Sequence, residues 1–304
     1  MPLEHPPEVE PDRRMLVELE TIMPAAMARR AVDTGVKRIA LDLWTLLALS
    51  VLAGAFISFG AVFATTVSSG AAWAAYPYGL VRLASGLVFS VGLVMVVIAG
   101  AELFTGNNMI VMAWASGRVS TRALLLNWAI VYVGNCAGAL GMVVLMYLSR
   151  QYTFADGAVG LAALNTANAK AQLAFGPALV LGILCNALVC LAVWMCHAAR
   201  TTIDRVVTIV PPVAAFVASG FEHSIANVFF LPMGLLIKNG SPPSFWQAIG
   251  KTPDDFPALT WGNFLLSNLA PVTIGNVIGG ALMVAAVYWF IYLRPSGSYG
   301  SAKK

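Results

Sequence analysis

Gly100-Ala-Glu102-Leu-Phe-Thr105-Gly-Asn107 and Gly220-Phe-Glu222-His223-Ser-Ile-Ala-Asn227 decide how this chain folds. Each lies inside a long apolar stretch, and each interrupts it with Gly, Glu and Asn at the same spacing. A carboxylate inside an apolar run is costly, so two in one register mark a built feature. A second match follows each of them. Asn127, Gly134-Asn135 and Gly138 reappear as Asn268, Gly275-Asn276 and Gly279. Two matches in the same order make an internal repeat.

Working outward, the chain of 304 residues is 59% hydrophobic and 11% charged. A soluble domain is about 25% charged, so this composition points to lipid. Six stretches reach the roughly 20 residues that a helix needs to cross a bilayer. They cover residues 43–67, 83–115, 123–148, 175–195, 206–237 and 272–293. The second and fifth contain the polar motifs and are expected to be broken helices. Three helices per half force the second half to enter from the opposite side. The expected fold is therefore an all-α membrane protein of six transmembrane helices, a 3+3 inverted repeat with its path near the midplane.

Basic residues set the orientation. One side receives Arg13, Arg14, Arg29, Arg30, Lys37, Arg38, Arg118, Arg122, Arg200, Arg205, Arg294, Lys303 and Lys304. The other receives Arg82, Arg150, Lys170, Lys238 and Lys251. Both termini are thus expected in the cytoplasm. Residues 1–14 are expected to be a disordered tail and 15–42 a cytoplasmic amphipathic helix, capped by Thr21 and started by Pro24. That helix either lies at the membrane interface or gates the path beneath it. Residues 43–294 form the six-helix domain, and 295–304 a disordered tail.

Several classes are excluded. The basic residues are too scattered for nucleic-acid binding. Cys136, Cys185, Cys190 and Cys196 have no metal-ligand spacing and read as small hydrophobes, with no metal and no cofactor expected. A two-haem carrier needs several axial histidines, and an intramembrane protease a Ser–His or paired-Asp set; the spans offer one histidine and no Asp. The chain is not read as an enzyme. Aquaporin-type neutral-solute channels carry Asn-Pro-Ala at both breaks, and neither break has it.

Breaking a helix in lipid frees backbone N–H and C=O groups that need partners. Glu102 and Glu222 are expected to accept hydrogen bonds from the freed N–H groups and pin the breaks. A carboxylate facing the path would repel anions. His223 is the sole histidine within a span; its imidazole can donate to an anion or hand it a proton. Thr105 supplies a hydroxyl at the matching break. The asparagines Asn107, Asn127, Asn135, Asn186, Asn227, Asn268 and Asn276 read mostly as interhelix glue.

These strings resemble the formate–nitrite transporter family. The resemblance runs from Pro24-Ala-Ala-Met-Ala28 to Tyr292 and includes Asn127-Trp128, Val189-Cys-Leu-Ala-Val-Trp-Met195, Ala218-Ser-Gly-Phe-Glu-His-Ser-Ile-Ala-Asn227 and Pro271-Val-Thr-Ile-Gly-Asn276. It implies an aquaporin-like homopentamer in the bacterial inner membrane, with one pore per protomer. It implies passage of small monovalent anions, formate foremost, then nitrite, hydrosulfide, acetate or lactate, with protons as co-substrate. It places His223 and Thr105 at the pore centre, with Asn186 and Asn227 near the histidine. It implies apolar constrictions from Phe89, Leu93, Leu103, Phe104, Val189 and Phe216, and anion attraction by Lys170 at the outer vestibule. Gly106-Asn107-Asn108 resembles the nitrite branch, and the sixth span the formate branch.

Overall fold

The computed structural model describes residues 22–70 and 75–294. The two expected tails, and residues 15–21 of the expected N-terminal helix, including Thr21, lie outside the described residues. Helix α1 (Pro24–Ile39) begins with Pro24 at its first position, and Met23 is the cap residue without a side-chain bond. Asp42 then caps α2 (Leu43–Val67) by accepting from Trp44 N and Thr45 N, both at 3.1 Å. Helix α3 is Tyr78–Ala99. After four non-helical residues the chain resumes as α4 (Phe104–Asn107) and, past a 3-10 turn, α5 (Val111–Ala115). Helix α6 (Thr121–Leu148) is capped by Ser120.

The second half repeats the pattern. Helix α7 (Ala158–Ala171) precedes α8 (Phe175–Cys196), α9 (Thr202–Ala218) and α10 (Ser224–Gly240). The short α11 (Pro243–Ile249) leads to α12 (Asn263–Tyr292), which carries wide π turns. Helix α12 starts nine residues before the expected boundary at 272. Asn263, Ser267 and Asn268 are the polar residues of that added stretch. Asn268 is in fact fully buried and hydrogen-bonded inside the fold, so its polarity costs little.

Among the described residues, five helices are long and apolar enough to cross a membrane: α2, α3, α6, α8 and α12. Their outer faces carry large exposed apolar side chains such as Leu125, Val133, Leu145, Leu266 and Leu282. Water does not tolerate such a surface; lipid or a second subunit does. Helix α2 packs on α3 and α6, and α8 packs on α9 and α12. Helix α1 buries Met27, Ala28, Ala31 and Val32 against Ile110, Met112 and Ala113. Its apolar face is thus spent on protein, which departs from the reading of a helix lying on lipid.

Both non-helical segments begin with a left-handed glycine, Gly100 at φ 82° and Gly220 at φ 75°. A side chain there would be strained, so glycine ends α3 and α9. Close approach sets a second glycine pair. A Cβ on Gly138 would meet the carbonyl oxygen of Val51, and one on Gly279 that of Ile183. Gly138→Ala is therefore expected to push α2 and α6 apart and cost about 1–3 kcal/mol, the usual range for overpacking. Thermal unfolding in detergent checks this, and an unchanged melting temperature would refute it.

Candidate functional site

The first requirement of each non-helical segment is partners for its backbone. Asn135 of α6 reaches into the first one. Its Oδ1 accepts from Phe104 N at 2.8 Å, and its Nδ2 donates to Ser50 O at 2.7 Å and Glu102 O at 2.9 Å. Asn276 of α12 does the same in the second. Its Oδ1 accepts from Ser224 N at 2.9 Å, and its Nδ2 donates to Gly182 O at 2.8 Å and Glu222 O at 3.0 Å. One amide thus supplies both an acceptor and donors, which a carboxylate cannot do.

The glutamates have different partners from those expected. Glu102 Oε2 accepts from Asn107 Nδ2 at 2.7 Å, and Glu102 Oε1 lies 3.2 Å from Arg38 Nε. Glu222 Oε2 accepts from Asn227 Nδ2 at 2.7 Å and Asn268 Nδ2 at 3.2 Å, while Glu222 Oε1 meets Lys170 Nζ at 2.7 Å. The freed N–H groups go to asparagines and carbonyls instead; Glu102 N donates to Leu49 O and Glu222 N to Leu181 O. A buried carboxylate needs a cation more than it needs amides, because unpaired burial of charge is prohibitive.

His223 sits at the centre. It is 3% exposed and precedes α10 as its cap. Its Nδ1 accepts from Ala226 N at 3.2 Å, and its Nε2 lies 3.0 Å from Thr105 Oγ1. An amide N–H can only donate, so Nδ1 carries the lone pair and the ring proton sits on Nε2. Thr105 Oγ1 then accepts that proton's hydrogen bond, leaving its own O–H to donate elsewhere. Leu103 occupies the matching position of the first repeat with similar extended backbone, but an apolar side chain. Asn227, expected near the histidine, gives its amide N–H groups to Glu222 and Asn268. Asn186 lies beside Thr105, donating to Thr105 O at 3.4 Å, Asn108 Oδ1 at 2.8 Å and Asn276 O at 2.6 Å.

Cavities open on both sides of this pair. One, of about 70 Å³, is lined by Phe89, Phe216, His223, Asn227, Lys170 and Arg82. It adjoins a wider space of about 390 Å³ lined by Arg82, Thr166, Lys170 and Glu222. The other, of about 250 Å³, is lined by Leu93, Leu103, Glu102, Arg38, His197 and Arg205. Phe89 and Phe216 meet edge to face at 5.8 Å beside the first; Leu93 and Leu103 line the second. Phe104 lines neither. Its ring packs against Tyr132 at 4.9 Å and Trp128 at 6.2 Å, because α4 turns it away from the break. Val189 is buried on α8 and also lines neither.

Arg38 was counted only for orientation, yet it is the first-half partner of Lys170. The structure shows the correspondence: Leu49 and Leu181 accept from Glu102 N and Glu222 N, and the same offset carries Arg38 onto Lys170. His197, just past the end of α8, lines the Arg38 cavity, and its carbonyl accepts from Arg30. Burial pushes its pKa down to about 4, helped by Arg38, Arg30 and Arg205. The unfolded chain takes up this proton first, so acidification from about pH 6.5 toward pH 4 is expected to destabilise the fold. His197→Gln should flatten that part of a stability–pH curve; an unchanged slope would refute it.

Comparison with known proteins agrees with this architecture. A family model described as formate/nitrite transporter matches residues 25–290. The formate channel FocA of Escherichia coli (strain K12) is 47% identical over 275 residues, covering 90% of this chain and 96% of that one. The probable formate transporter of Methanothermobacter thermautotrophicus is 39% identical over 260 residues, covering 81% and 88%. Among solved structures, a pentameric formate channel with formate bound matches with a TM-score of 0.79 at 43% identity, covering 83% of this chain and 98% of that one. These relatives are channels and transporters rather than enzymes. A match covering this much of the sequence, with both repeats intact, means that the chain belongs to the formate/nitrite transporter family.

Proposed function

We propose that this chain is a six-span channel for small monovalent anions, formate foremost, working as a homopentamer in a bacterial inner membrane. The observation that carries the reading is the His223–Thr105 pair, set between two cavities that each hold a cation at the mouth and apolar side chains at the neck. The remaining span, fifth in chain order, is α9 with α10; each has 17 residues, short of a full crossing, and the break lies between them. The break within 100–103 is its counterpart, which gives an inverted, aquaporin-like repeat. Both termini face the cytoplasm, with most basic residues, so Arg38 marks the inner mouth and Lys170 the outer. The pentamer follows the assembly named for the solved relative.

Transport follows from these parts. A bare anion crossing an apolar neck loses hydration, which is expensive. Lys170 and Arg38 lower the cost of approach. At the centre the anion replaces Thr105 Oγ1 as the acceptor of the His223 Nε2–H and receives the Thr105 O–H. The positive end of α10 adds to this attraction. A second ring proton on Nδ1 would have to break the Ala226 cap. His223 therefore acts by donating a hydrogen bond, and a proton that accompanies the anion travels as the neutral acid. Phe89 and Phe216 on one side, with Leu93 and Leu103 on the other, exclude water and pass the neutral acid at little cost. Asn107 and Asn108, which resemble the nitrite branch, are buried in packing bonds with Glu102, Asn127 and Asn186. They offer the path no nitrite-specific contact; only Gly106 lines a cavity.

Anion flux in proteoliposomes at pH 5 and pH 7.5 tests the proposal, with formate compared against nitrite, acetate and lactate. Formate is expected to be fastest. Nitrite faster than formate would overturn the substrate assignment, and no flux of any of them would overturn the channel.

A further inference from the structure

The cavity of about 250 Å³ at the Arg38 mouth is lined by donors that the fold itself does not use. Arg205 lines it, is exposed, and makes no hydrogen bond or ion pair among the described residues. Thr34 of α1 and His197 line it too. The Thr34 hydroxyl and the ring nitrogens of His197 have no hydrogen-bond partner among the described residues, and none of these atoms is sealed from solvent. Held neutral by burial and by Arg38, Arg30 and Arg205 around it, the His197 ring offers one N–H. Glu102 is the one carboxylate in the lining, and Arg38 pairs with it. Arg205 therefore leaves the lining net positive.

The other mouth lacks this surplus. Arg82 stands at the carbonyl end of α9 and gives its guanidinium to Val217 O and Ala218 O. Lys170 is bonded to Glu222 at 2.7 Å. Arg205 lies beside the matching carbonyl end of α3, sharing the cavity with Val97 and Gly100, yet makes no such bond. One mouth has spent its cations on the fold, and the other has kept one.

The unused groups fit an anion with more oxygens than a carboxylate. A carboxylate presents two oxygens and one charge, enough for one guanidinium fork. A tetrahedral oxyanion presents four oxygens and up to two charges, so it can take a fork, a hydroxyl and a ring N–H together. A water occupies about 30 Å³ in the liquid, so the cavity has room for the ion and part of its hydration shell. Leu93 and Leu103 line the same cavity. Passing them would strip that shell from a double charge, which costs far more than for a single one. Such an ion would stay where it binds.

We propose that the Arg38 mouth holds an inhibitory site for a tetrahedral oxyanion, phosphate above all, bound by Arg205, His197 and Thr34. The bound ion stands in the path on the near side of Leu93 and Leu103 and keeps formate out from that side. Its binding follows from the cavity alone; its effect on flux rests on the channel reading above.

Two measurements on the full-length protein test the proposal. Calorimetric titration of the purified protein with inorganic phosphate, in detergent at pH 7.5, reads binding without any flux. Initial formate uptake into inside-out vesicles, with phosphate or chloride outside at equal ionic strength, reads inhibition at the Arg38 mouth. Phosphate is expected to bind and to raise KM for formate while leaving the maximal rate unchanged; right-side-out vesicles should show no inhibition. Glycerol phosphate run in parallel tells a site for the free ion from one that also takes a phosphoryl group on a larger molecule, and either result keeps the oxyanion site. Arg205→Gln is expected to weaken phosphate about tenfold or more, the worth of a charge-assisted hydrogen bond, and His197→Phe about fivefold. No heat of binding, equal inhibition by chloride, equal inhibition from both sides, or an unchanged phosphate constant in Arg205→Gln overturns the proposal. Should Arg205→Gln fail to assemble, an unchanged constant in His197→Phe overturns it. Wild-type vesicles that carry no formate without phosphate would instead overturn the channel reading, and the titration would still decide the site.

Discussion

His223→Asn is expected to assemble like the wild type yet to lose most of the formate flux at both pH 5 and pH 7.5. The choice of asparagine matters. His223 does two jobs in this structure, capping α10 through Nδ1 and offering Nε2–H to Thr105. Asparagine is a favoured cap residue, so its Oδ1 can take over the Ala226 N–H. It cannot reproduce the imidazole N–H at Thr105 with the same reach. A hydrogen bond to a charged group contributes about 1.5–3 kcal/mol, so flux should fall roughly tenfold to a hundredfold. His223→Phe loses the cap as well and should also melt earlier, by about 1 kcal/mol of stability. Flux in proteoliposomes at pH 5 and pH 7.5, alongside thermal unfolding, separates the two jobs. Wild-type flux in His223→Asn would sink the central role of the imidazole.

Asn135→Leu and Asn276→Leu should be the most destabilising single substitutions in the helical domain. Each asparagine is fully buried and holds three backbone groups at its break. Leucine fills similar space but leaves an amide N–H and two carbonyls without partners where no water replaces them. Each orphaned group costs about 1–3 kcal/mol, so the sum reaches several kcal/mol. Asn135→Asp keeps the acceptor for Phe104 N and loses the donors, so it should fall between leucine and wild type. Melting temperature and the yield of folded protein in detergent read the series. Asn135→Leu melting within about 2 °C of wild type would refute the clasp, since even 1 kcal/mol shifts melting by that much in a chain of this size.

Much of the site was legible before any coordinates. His223 and Thr105 were marked by their place at the two polar interruptions, and they lie in contact. Glu102 and Glu222 were marked by the repeat. Their partners were not legible. The Glu–Asn bonds span five residues and close within each break, but the cations come from α1 and from the end of α7. Arg38 read as one more basic residue near a terminus, because charge counting assigns a side of the membrane and no contact. Phe104 read as pore-lining through the family resemblance. Its ring is turned by the first turn of α4 onto Tyr132 and Trp128, a direction that depends on backbone the sequence does not display.

What the sequence by itself determined is the set of long apolar helices and the repeat. Both are local sums: the cost of placing about 20 residues in lipid adds up along the chain, and a spacing of Gly, Glu and Asn is read in one window. What only the tertiary structure decided is which partner each buried polar atom takes. Arg38 meets Asn107 across 69 residues and Lys170 meets Glu222 across 52. Such pairs are chosen by where helices cross and by the steep cost of leaving any buried donor, acceptor or charge alone, and no local window contains that competition.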